Sequence, residues 1–446
     1  MQQADKIIDV YKIEPRRIIM VIDSKSFYAS VESVELGLNP LQSILVVMSN
    51  QENTNGGLVL AASPRAKQLL GIKNVMRQRD VPKDARLIIV PPRMNLYIQK
   101  NKQINDIYRE YVADEDLHIY SIDESILDLT DSMQYLKSKF GKSLTLAELA
   151  RIIQKHIKAE TGIYTTIGIG DTPAMAKLAL DLEAKHAHSL IGEWHYEYIP
   201  DRLWPIEKLS DVWSIGARTA KKLNRLGIFS MGDLAAYNPY KLKQHLGVKG
   251  IDLYALAWGI DRSLIRDKYQ PKENSISNSQ VLPRDYSKAE ELIVVIREIG
   301  EQVASRLRAK SVVAGQISLW IGFAHTEQAT SHNHGFSVQM KITPTNTNKL
   351  ITQGLTTLFK QNYQGEVVRN VGVTAGKLQA AGVEQLDLFM PAATTSKQRT
   401  IDSVIDELRK NYGIDAVYKA SSATEGGTML NRIGLVGGHN GGNAYG

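Results

Sequence analysis

Two short acidic clusters carry the residue types with the most chemistry to offer: Asp23 inside IMVIDSKSFYASVE, and the Asp123-Glu124 pair inside HIYSIDESILDLT. Each follows an apolar, β-branched run, so each carboxylate is expected where a buried strand ends and the backbone leaves the core. An ionised carboxylate inside a protein must be paired or bound to a metal. Three oxygen donors from two non-adjacent strands suit magnesium, a hard cation that needs neither histidine nor cysteine. Two such ions, about 4 Å apart, can drive phosphoryl transfer, one lowering the pKa of an attacking hydroxyl and the other holding the leaving phosphates. In that reading Asp23 bridges the ions, Asp123 completes the pair, Glu124 favours the ion at the attacking hydroxyl, and Ser24 contributes its backbone carbonyl. The competing reading makes Asp23 a helix cap and places Asp123-Glu124 in a surface turn. Tyr28 belongs on the helix that leaves the Asp23 strand. Its ring either lies under an incoming sugar, where it excludes a 2′-hydroxyl, or fills the core.

The elements that must hold these groups follow from periodicity. Ile18 to Ile22 reads as a strand and FYASVESVE as a helix, with Ile44 to Met48 and Leu58 to Ala62 as further strands. Residues 63–93 are basic and turn-rich, with Arg65, Lys67, Lys73, Arg77 and Arg79 close together, and read most plainly as a solvated insertion. A helix is predicted over Tyr97 to Tyr111, and strands over Leu117 to Ile122 and Ile126 to Leu129, on either side of the acidic pair. Leu144 to Thr161 reads as a helix, Thr165 to Ile169 as a strand, and Pro173 to Lys185 as a helix whose start favours anions. This alternation describes an α/β or α+β domain with one shared sheet, on which the two acidic clusters can be neighbours.

From Leu209 to Asp261 the texture changes to short helices punctuated by glycine. VWSIGARTAKKLNRLGIFSMGDLA has the form of a helix-hairpin-helix, in which the turn around Gly216 exposes backbone N–H groups to a DNA phosphate beside Arg218, Lys221 and Lys222. An ordinary αα-turn is the alternative, and HLGVKGIDLYALAWG is a weaker second copy. Residues 269–279 are polar and read as a linker. Beyond them the predicted order is β-α-β-β-α-β, a sheet with helices on one face. Arg284, Arg297, Arg306, Arg308, Lys310 and Lys341 give that domain a basic surface suited to DNA. Gln385-Leu386-Asp387-Leu388-Phe389 can dock an apolar pocket on a partner or return to its own core, the latter favoured by spacing alone. A helix is expected over Ile401 to Tyr412, and the glycine-rich end from Ile433 is expected to be unfolded or peripheral.

A chain of 446 residues implies two to four domains, and its formal charge of +7 favours a polyanionic partner without naming one. The absence of cysteine removes disulfides, thiolate catalysis and cysteine-ligated metals, and suits a reducing compartment. With no long apolar run and no signal-peptide pattern, the expectation is a cytoplasmic protein without a membrane partner.

Taken in order, IDSKSFYASVE, YSIDESILDLT, TTIGIGDTPAMAKLALDLEAKH and the hairpin phrase resemble the Y-family of translesion DNA polymerases. The likeness is greatest to the UmuC-like (ImpB/MucB/SamB-type) branch of Gram-positive bacteria and their mobile elements, and spans roughly Arg17 to Phe389. The resemblance implies an α+β multidomain right-hand polymerase. Its palm would be 17–63 with 94–208, fingers 64–93, a helix-hairpin-helix thumb 209–272, a β-α-β-β-α-β little finger 273–378 and a C-terminal tail 379–446. It implies that Asp23, Asp123 and Glu124 hold two Mg2+ ions, that Tyr28 is a steric gate and that Lys185 grips the incoming triphosphate. ASPRAKQLLG is shifted by one residue from the family's usual form, so Ser63, Arg65 and Lys67 are all candidates for further triphosphate contacts. Lys25 replaces an acidic residue common in other branches. In this context Gln385, Leu386, Leu388 and Phe389 look like a sliding-clamp peptide, which reverses the preference drawn from spacing. The implied activity is error-prone addition of deoxynucleotides to a primer 3′-hydroxyl opposite damaged template. The implied partners are primer-template DNA, dNTP, the bacterial sliding clamp and possible accessory SOS proteins. Two rivals stand beside it, a catalytically silent DNA and clamp adaptor and a metal-dependent nuclease.

Overall fold

The first strand, β1 (Ile19–Ser24), has no exposed surface from Ile19 to Ile22. Such a run belongs in the middle of a sheet covered on both faces. The structure, a computed structural model, describes residues 11–49, 57–268, 274–331, 333–381, 392–436 and 439–440. The chain divides into two compact units, the first holding the bulk of residues 1–268 and the second residues 269–446 with the short stretches 50–57 and 77–79. Among the described residues no helix is long and apolar enough to cross a membrane.

In the first unit the strands after β1 are β2 (Leu45–Ser49), β3 (Leu58–Ala62), β4 (Ile88–Val90), β5 (Leu117–Ile119), β6 (Glu124–Asp128), β7 (Thr165–Gly170) and β8 (Ile191–Trp194). Five of them form one sheet in the order β5-β6-β1-β7-β8, so β1 lies at its centre, antiparallel to both β6 and β7. Side chains alternate between the faces of a strand. Ile19 and Val21 therefore share a face, and they pack there with Ile126 of β6 and with Ala176, Leu180 and Ala184 of the helical segment after β7.

That segment, an α-helix over Pro173–Ala179 followed by a π-helical turn over Leu180–Ala184, lies unusually close to the sheet. A Cβ at Gly168 would fall 2.1 Å from the Ala176 carbonyl oxygen, and one at Gly170 would fall 2.4 Å from the Ala176 nitrogen. Glycine at these two places is what lets the helix backbone rest on β7.

Strands β2, β3 and β4 do not join this sheet. They form a separate three-stranded sheet whose core is Val46, Met48, Val59, Ala62, Ala66 and Ile72, covered by the Pro64–Leu70 helix. The one shared sheet expected for this region therefore excludes β2 and β3. The small domain of residues 64–93 needs β2 and β3 to complete its own apolar core. Further along, helices Ala217–Arg225, Met231–Ala236, Pro239–Leu246 and Val248–Ala257 gather Leu223, Ile228, Met231, Leu234, Leu242, Leu253 and Leu256 into one core, which also includes Met175 and Leu178.

The second unit has the expected β-α-β-β-α-β order. Strands β9 (Ile276–Tyr286), β10 (Val312–Phe323), β11 (Gly335–Thr345) and β12 (Val368–Ala380) pair antiparallel in the order β11-β10-β12-β9. Helices Ala289–Ala309 and Asn348–Asn362 bury Val295, Ile299, Val303, Ile351, Leu355 and Phe359 against it. The segment expected to be a tail is folded for much of its length. A helix over Ala392–Tyr412 and turns near residues 420–432 lie on this domain, with Asp402, Thr428 and Met429 buried. Polar groups hold it there: Asp402 accepts from the Asn348 N–H at 2.8 Å, and Glu298 accepts from the Thr428 and Met429 N–H groups at 2.9 and 3.0 Å.

Candidate active site and nucleic-acid interface

Asp23 stands directly across the ladder from Glu124. Cross-strand partners project to the same face, here the face on which Val21 and Ile126 meet the helix of residues 173–179. Asp123 lies in the hairpin turn between β5 and β6, so the turn reading was right for its backbone and incomplete for its neighbour, since Glu124 is buried. The Ser24 N–H donates to the Asp123 carbonyl at 2.8 Å, which brings the two clusters together through the backbone. Two asparagines from the Met94–Tyr108 helix hold the turn in place. Asn101 donates to the Ile122 carbonyl at 2.8 Å, and buried Asn105 accepts from the Ser125 hydroxyl at 2.8 Å.

The side chains have distinct partners. Asp123 accepts from the Ser121 hydroxyl at 2.7 Å, and one Glu124 oxygen, Oε2, accepts from Lys177 Nζ at 2.7 Å. The other Glu124 oxygen, Oε1, is buried with no hydrogen-bond partner. Burial, helped by the neighbouring Asp123 and Glu124, raises the Asp23 carboxyl to about 6 against the pull of Lys185 and Lys177. Among the described residues no three acidic or histidine side chains gather closely enough to hold an ion by themselves. Like charges resist such convergence, and Ser121 and Lys177 each occupy one carboxylate oxygen. The donor set still fits a hard cation: it is all oxygen, and Glu124 Oε1 is a desolvated acceptor with nothing to accept.

The positive side of the site comes from the segment that rests on β7 and from the turn after β1. Lys185 donates to Asp181 at 2.7 Å. Burial lowers the pKa of its ammonium, but Asp23 and Asp181 outweigh that and raise it. Lys25 follows β1 directly. Its pKa is lowered, by burial first and by Lys185 as well, with Asp23 opposing. Lys67 reaches over from the Pro64–Leu70 helix to the Ser26 hydroxyl at 3.2 Å, and the same charges act on it: burial and Lys25 lower its pKa and Asp23 raises it. The site therefore gathers Lys25, Lys67 and Lys185 around Asp23.

Ser63 is a correction among the triphosphate candidates. It is fully buried, and its hydroxyl donates to the Ser43 carbonyl at 2.6 Å while accepting from the Leu45 and Ala66 N–H groups at 3.1 and 3.2 Å. That is a helix cap with its capacity spent, with none left for a phosphate. Arg65 binds Gln68 on its own helix at 2.9 Å.

Tyr28, on the Phe27–Glu35 helix, stacks on Tyr97 with ring centroids 4.4 Å apart and 17° between planes. Tyr97 is itself fixed, its hydroxyl donating to Glu32 at 2.7 Å, and Arg93 forks onto the same carboxylate. Burial, with Asp123 adding to it, raises the Tyr28 phenol, so its polar end lies within the field of Asp123. The residues that sequence reasoning missed are Lys177, Asp181, Asn101, Asn105, Tyr97 and Glu32. Of these only Lys177 and Asp181 left a signal, the spacing Lys177-Asp181-Lys185 at four-residue steps.

In the helical part of the unit, Gly216 caps the Ala217–Arg225 helix from an extended conformation with no side-chain cap. Its first N–H groups are thus open to an acceptor. Arg218, Lys221 and Lys222 are exposed on that helix, anchored by buried Leu223. The second copy is a true helix–turn–helix, Pro239–Leu246 and Val248–Ala257 joined at Gly247, whose φ of 64° is in the left-handed region. Lys249 donates to the Ser214 hydroxyl, tying the two hairpin turns side by side. Gln385, Leu386, Leu388 and Phe389 lie outside the described residues.

Known proteins resemble the chain along most of its length. The model of the impB/mucB/samB family matches residues 22–181, that of its C-terminal domain residues 273–388, and that of the IMS family HHH motif residues 196–228. The chain is 39% identical to the "Putative UV-damage repair protein UvrX" of Bacillus subtilis (strain 168), across 96% of this chain and 99% of that protein. It is 34% identical to DNA polymerase IV 2 of the same organism, across 95% and 98%. Among solved structures, a Y-family DNA polymerase chimera superposes with a TM-score of 0.63 at 22% identity, covering 81% of this chain and 99% of that one.

Proposed function

The chain belongs to the impB/mucB/samB family, the UmuC-like branch of the Y-family DNA polymerases, and is a DNA-directed DNA polymerase; from that premise we propose that Asp23, Asp123 and Glu124 form its two-metal centre. The observation that carries this reading is the cross-strand pairing of Asp23 with Glu124, with Glu124 Oε1 buried and unpartnered beside it. Magnesium bound by these carboxylates and the Ser24 carbonyl would activate the primer 3′-hydroxyl and neutralise charge on the departing pyrophosphate.

The chain's own residues do the positioning. Lys185 and Lys67, whose charges both interact with Asp23, hold the triphosphate of the incoming dNTP, and Arg65 is a further candidate. Tyr28, backed by its stack on Tyr97, lies under the sugar and rejects a 2′-hydroxyl. The Gly216 turn with Arg218, Lys221 and Lys222 grips the backbone of primer-template DNA, a contact that weakens with salt. Gln385, Leu386, Leu388 and Phe389 tether the enzyme to the sliding clamp, which raises its effective concentration at the primer end. The physiological setting is damage tolerance of the SOS type, in the cytoplasm, with accessory proteins of that response as partners.

The test is primer extension on intact and abasic templates. Asp23→Ala and Glu124→Ala should each abolish extension while DNA binding, followed by fluorescence anisotropy, stays within about threefold of the parent. Extension at near-parental rate in both variants would refute the assignment.

A further inference from the structure

Lys177 is a charged side chain at the site that has no role in the account above. Lys177 is nearly as buried as the carboxylate it touches, with 11% of its side chain exposed against 9% for Glu124. A lysine is rarely placed there unless its partner needs it. Its ammonium lies 2.7 Å from Glu124 Oε2 and 3.4 Å from Asp181 Oδ2, and Asp181 Oδ1 in turn accepts from Lys185 at 2.7 Å. The four groups, Glu124, Lys177, Asp181 and Lys185, alternate in sign from β6 to the end of the segment over residues 173–185.

Their alignment depends on two local features. The glycines of β7 bring the helix backbone against the sheet, so that Lys177 can reach across to β6. The π-helical turn then closes with the Lys185 N–H donating to the Leu180 carbonyl at 3.1 Å. Steps of four residues drift around an α-helix, and a wider turn takes that drift back, leaving Lys185 in line with Lys177 and Asp181. π-turns inside helices concentrate at functional sites for this kind of reason.

We infer that Lys177 is a positioning residue: it holds Glu124 by Oε2 so that Oε1 alone faces the ion site, and through Asp181 it couples that carboxylate to the triphosphate lysine, Lys185. This rests on the reading of Asp23, Asp123 and Glu124 as the ion site. Partners that orient a ligand in this way are commonly worth about 10- to 100-fold in metal affinity or activity.

The experiment titrates Mn2+ by electron paramagnetic resonance into the full-length protein bound to dideoxy-terminated primer-template and dNTP. In parallel, kcat and KM are measured for single-nucleotide insertion. Lys177→Met should weaken Mn2+ binding by about tenfold or more and lower kcat at least as far, with the KM for dNTP within about threefold of the parent. Lys177→Arg should recover part of both losses. Asp181→Asn is near-isosteric at a side chain 23% exposed, and it should raise the KM for dNTP about fivefold while Mn2+ affinity holds. Should Lys177→Met not fold, Lys177→Arg and Asp181→Asn decide the matter: parental values in both overturn the inference, and the split stated for Asp181→Asn upholds it. Parental Mn2+ affinity and kcat in a folded Lys177→Met also overturn it. Asp23→Ala and Glu124→Ala serve as controls for the underlying reading. If they keep parental Mn2+ affinity, the ion-site assignment itself fails, whereas if they lose it and Lys177→Met does not, only the positioning role fails.

Discussion

At Asp23 the burial that raises its carboxyl pKa also costs the folded state stability. The carboxyl titrates near 6 when folded, against 3.8 for the unperturbed group. The folded state therefore holds its proton to higher pH than the unfolded chain, and stability is lost as pH rises from about 4 through about 6. Asp23→Asn should stabilise the metal-free protein at pH 8, by on the order of 1–3 kcal/mol, and leave it unchanged near pH 3. Thermal unfolding at the two pH values, in EDTA, checks both the magnitude and the sign. Tyr28→Ala tests a different property of the same pocket, because it opens the space under the sugar without touching a ligand. Ribonucleotide insertion relative to deoxynucleotide should rise by about 100-fold, from the loss of a steric clash rather than of a hydrogen bond. A ratio unchanged from the parent would remove Tyr28 from the gate. The types and spacing of these residues were legible in the sequence. The partners that aim them were not: Asn101, Asn105 and Tyr97 are ordinary helix residues until the helix packs, and only then do they face the acidic turn and the Tyr28 ring.

Among the elements, the segment over residues 173–185 carries more of the site than its length suggests. It touches the sheet on one side through Ala176, Leu180 and Ala184, and the helical core on the other through Met175 and Leu178. Gly168→Ala would press a methyl group onto the Ala176 carbonyl and the Leu180 nitrogen, at 2.1 and 2.4 Å. Backbone cannot yield there as a flexible side chain does, so a loss of about 1–3 kcal/mol is expected, together with weaker ion and nucleotide binding as the helix lifts. Calorimetry and insertion kinetics read the two effects separately. The hairpin helix over Ala217–Arg225 makes the opposite kind of prediction, one of affinity without stability. Replacing Arg218, Lys221 and Lys222 singly with alanine should weaken DNA binding about equally for every sequence and lower the salt dependence by about one counterion each. A salt slope unchanged by all three replacements would take that face off the DNA. Helix identities were readable from period and glycine spacing. The π-turn was not, because it arises from how the helix meets β7 and the pocket and from no pattern of its own.

For the molecule as a whole, the C-terminal region changes most between expectation and structure. Residues expected to form a tail bury Asp402 to 1% exposure and donate two backbone N–H groups to Oε2 of the buried Glu298 on the Ala289–Ala309 helix. Their composition is polar, and polar composition favours disorder only while the groups have no partners. Asp402→Ala should cost about 1–3 kcal/mol within that unit, because the Asn348 N–H is left buried without an acceptor. Hydrogen exchange at the start of the Asn348–Asn362 helix measures it, and unchanged protection would show the contact to be dispensable.

Two kinds of information thus contributed. The sequence by itself determined the residue types and the order of the modules: carboxylates at two strand ends, an aromatic beside them, lysines after a TIGIG strand, hairpins, then a second α+β unit. These are local in the chain, and local periodicity and residue type report them. Only the tertiary structure decided which groups meet. It moved β2 and β3 into a separate sheet, consumed Ser63 as a cap and placed Lys177 against Glu124. Each of these follows from sheet order and helix approach, distances between residues far apart in the chain, on which the spacing of neighbours is silent.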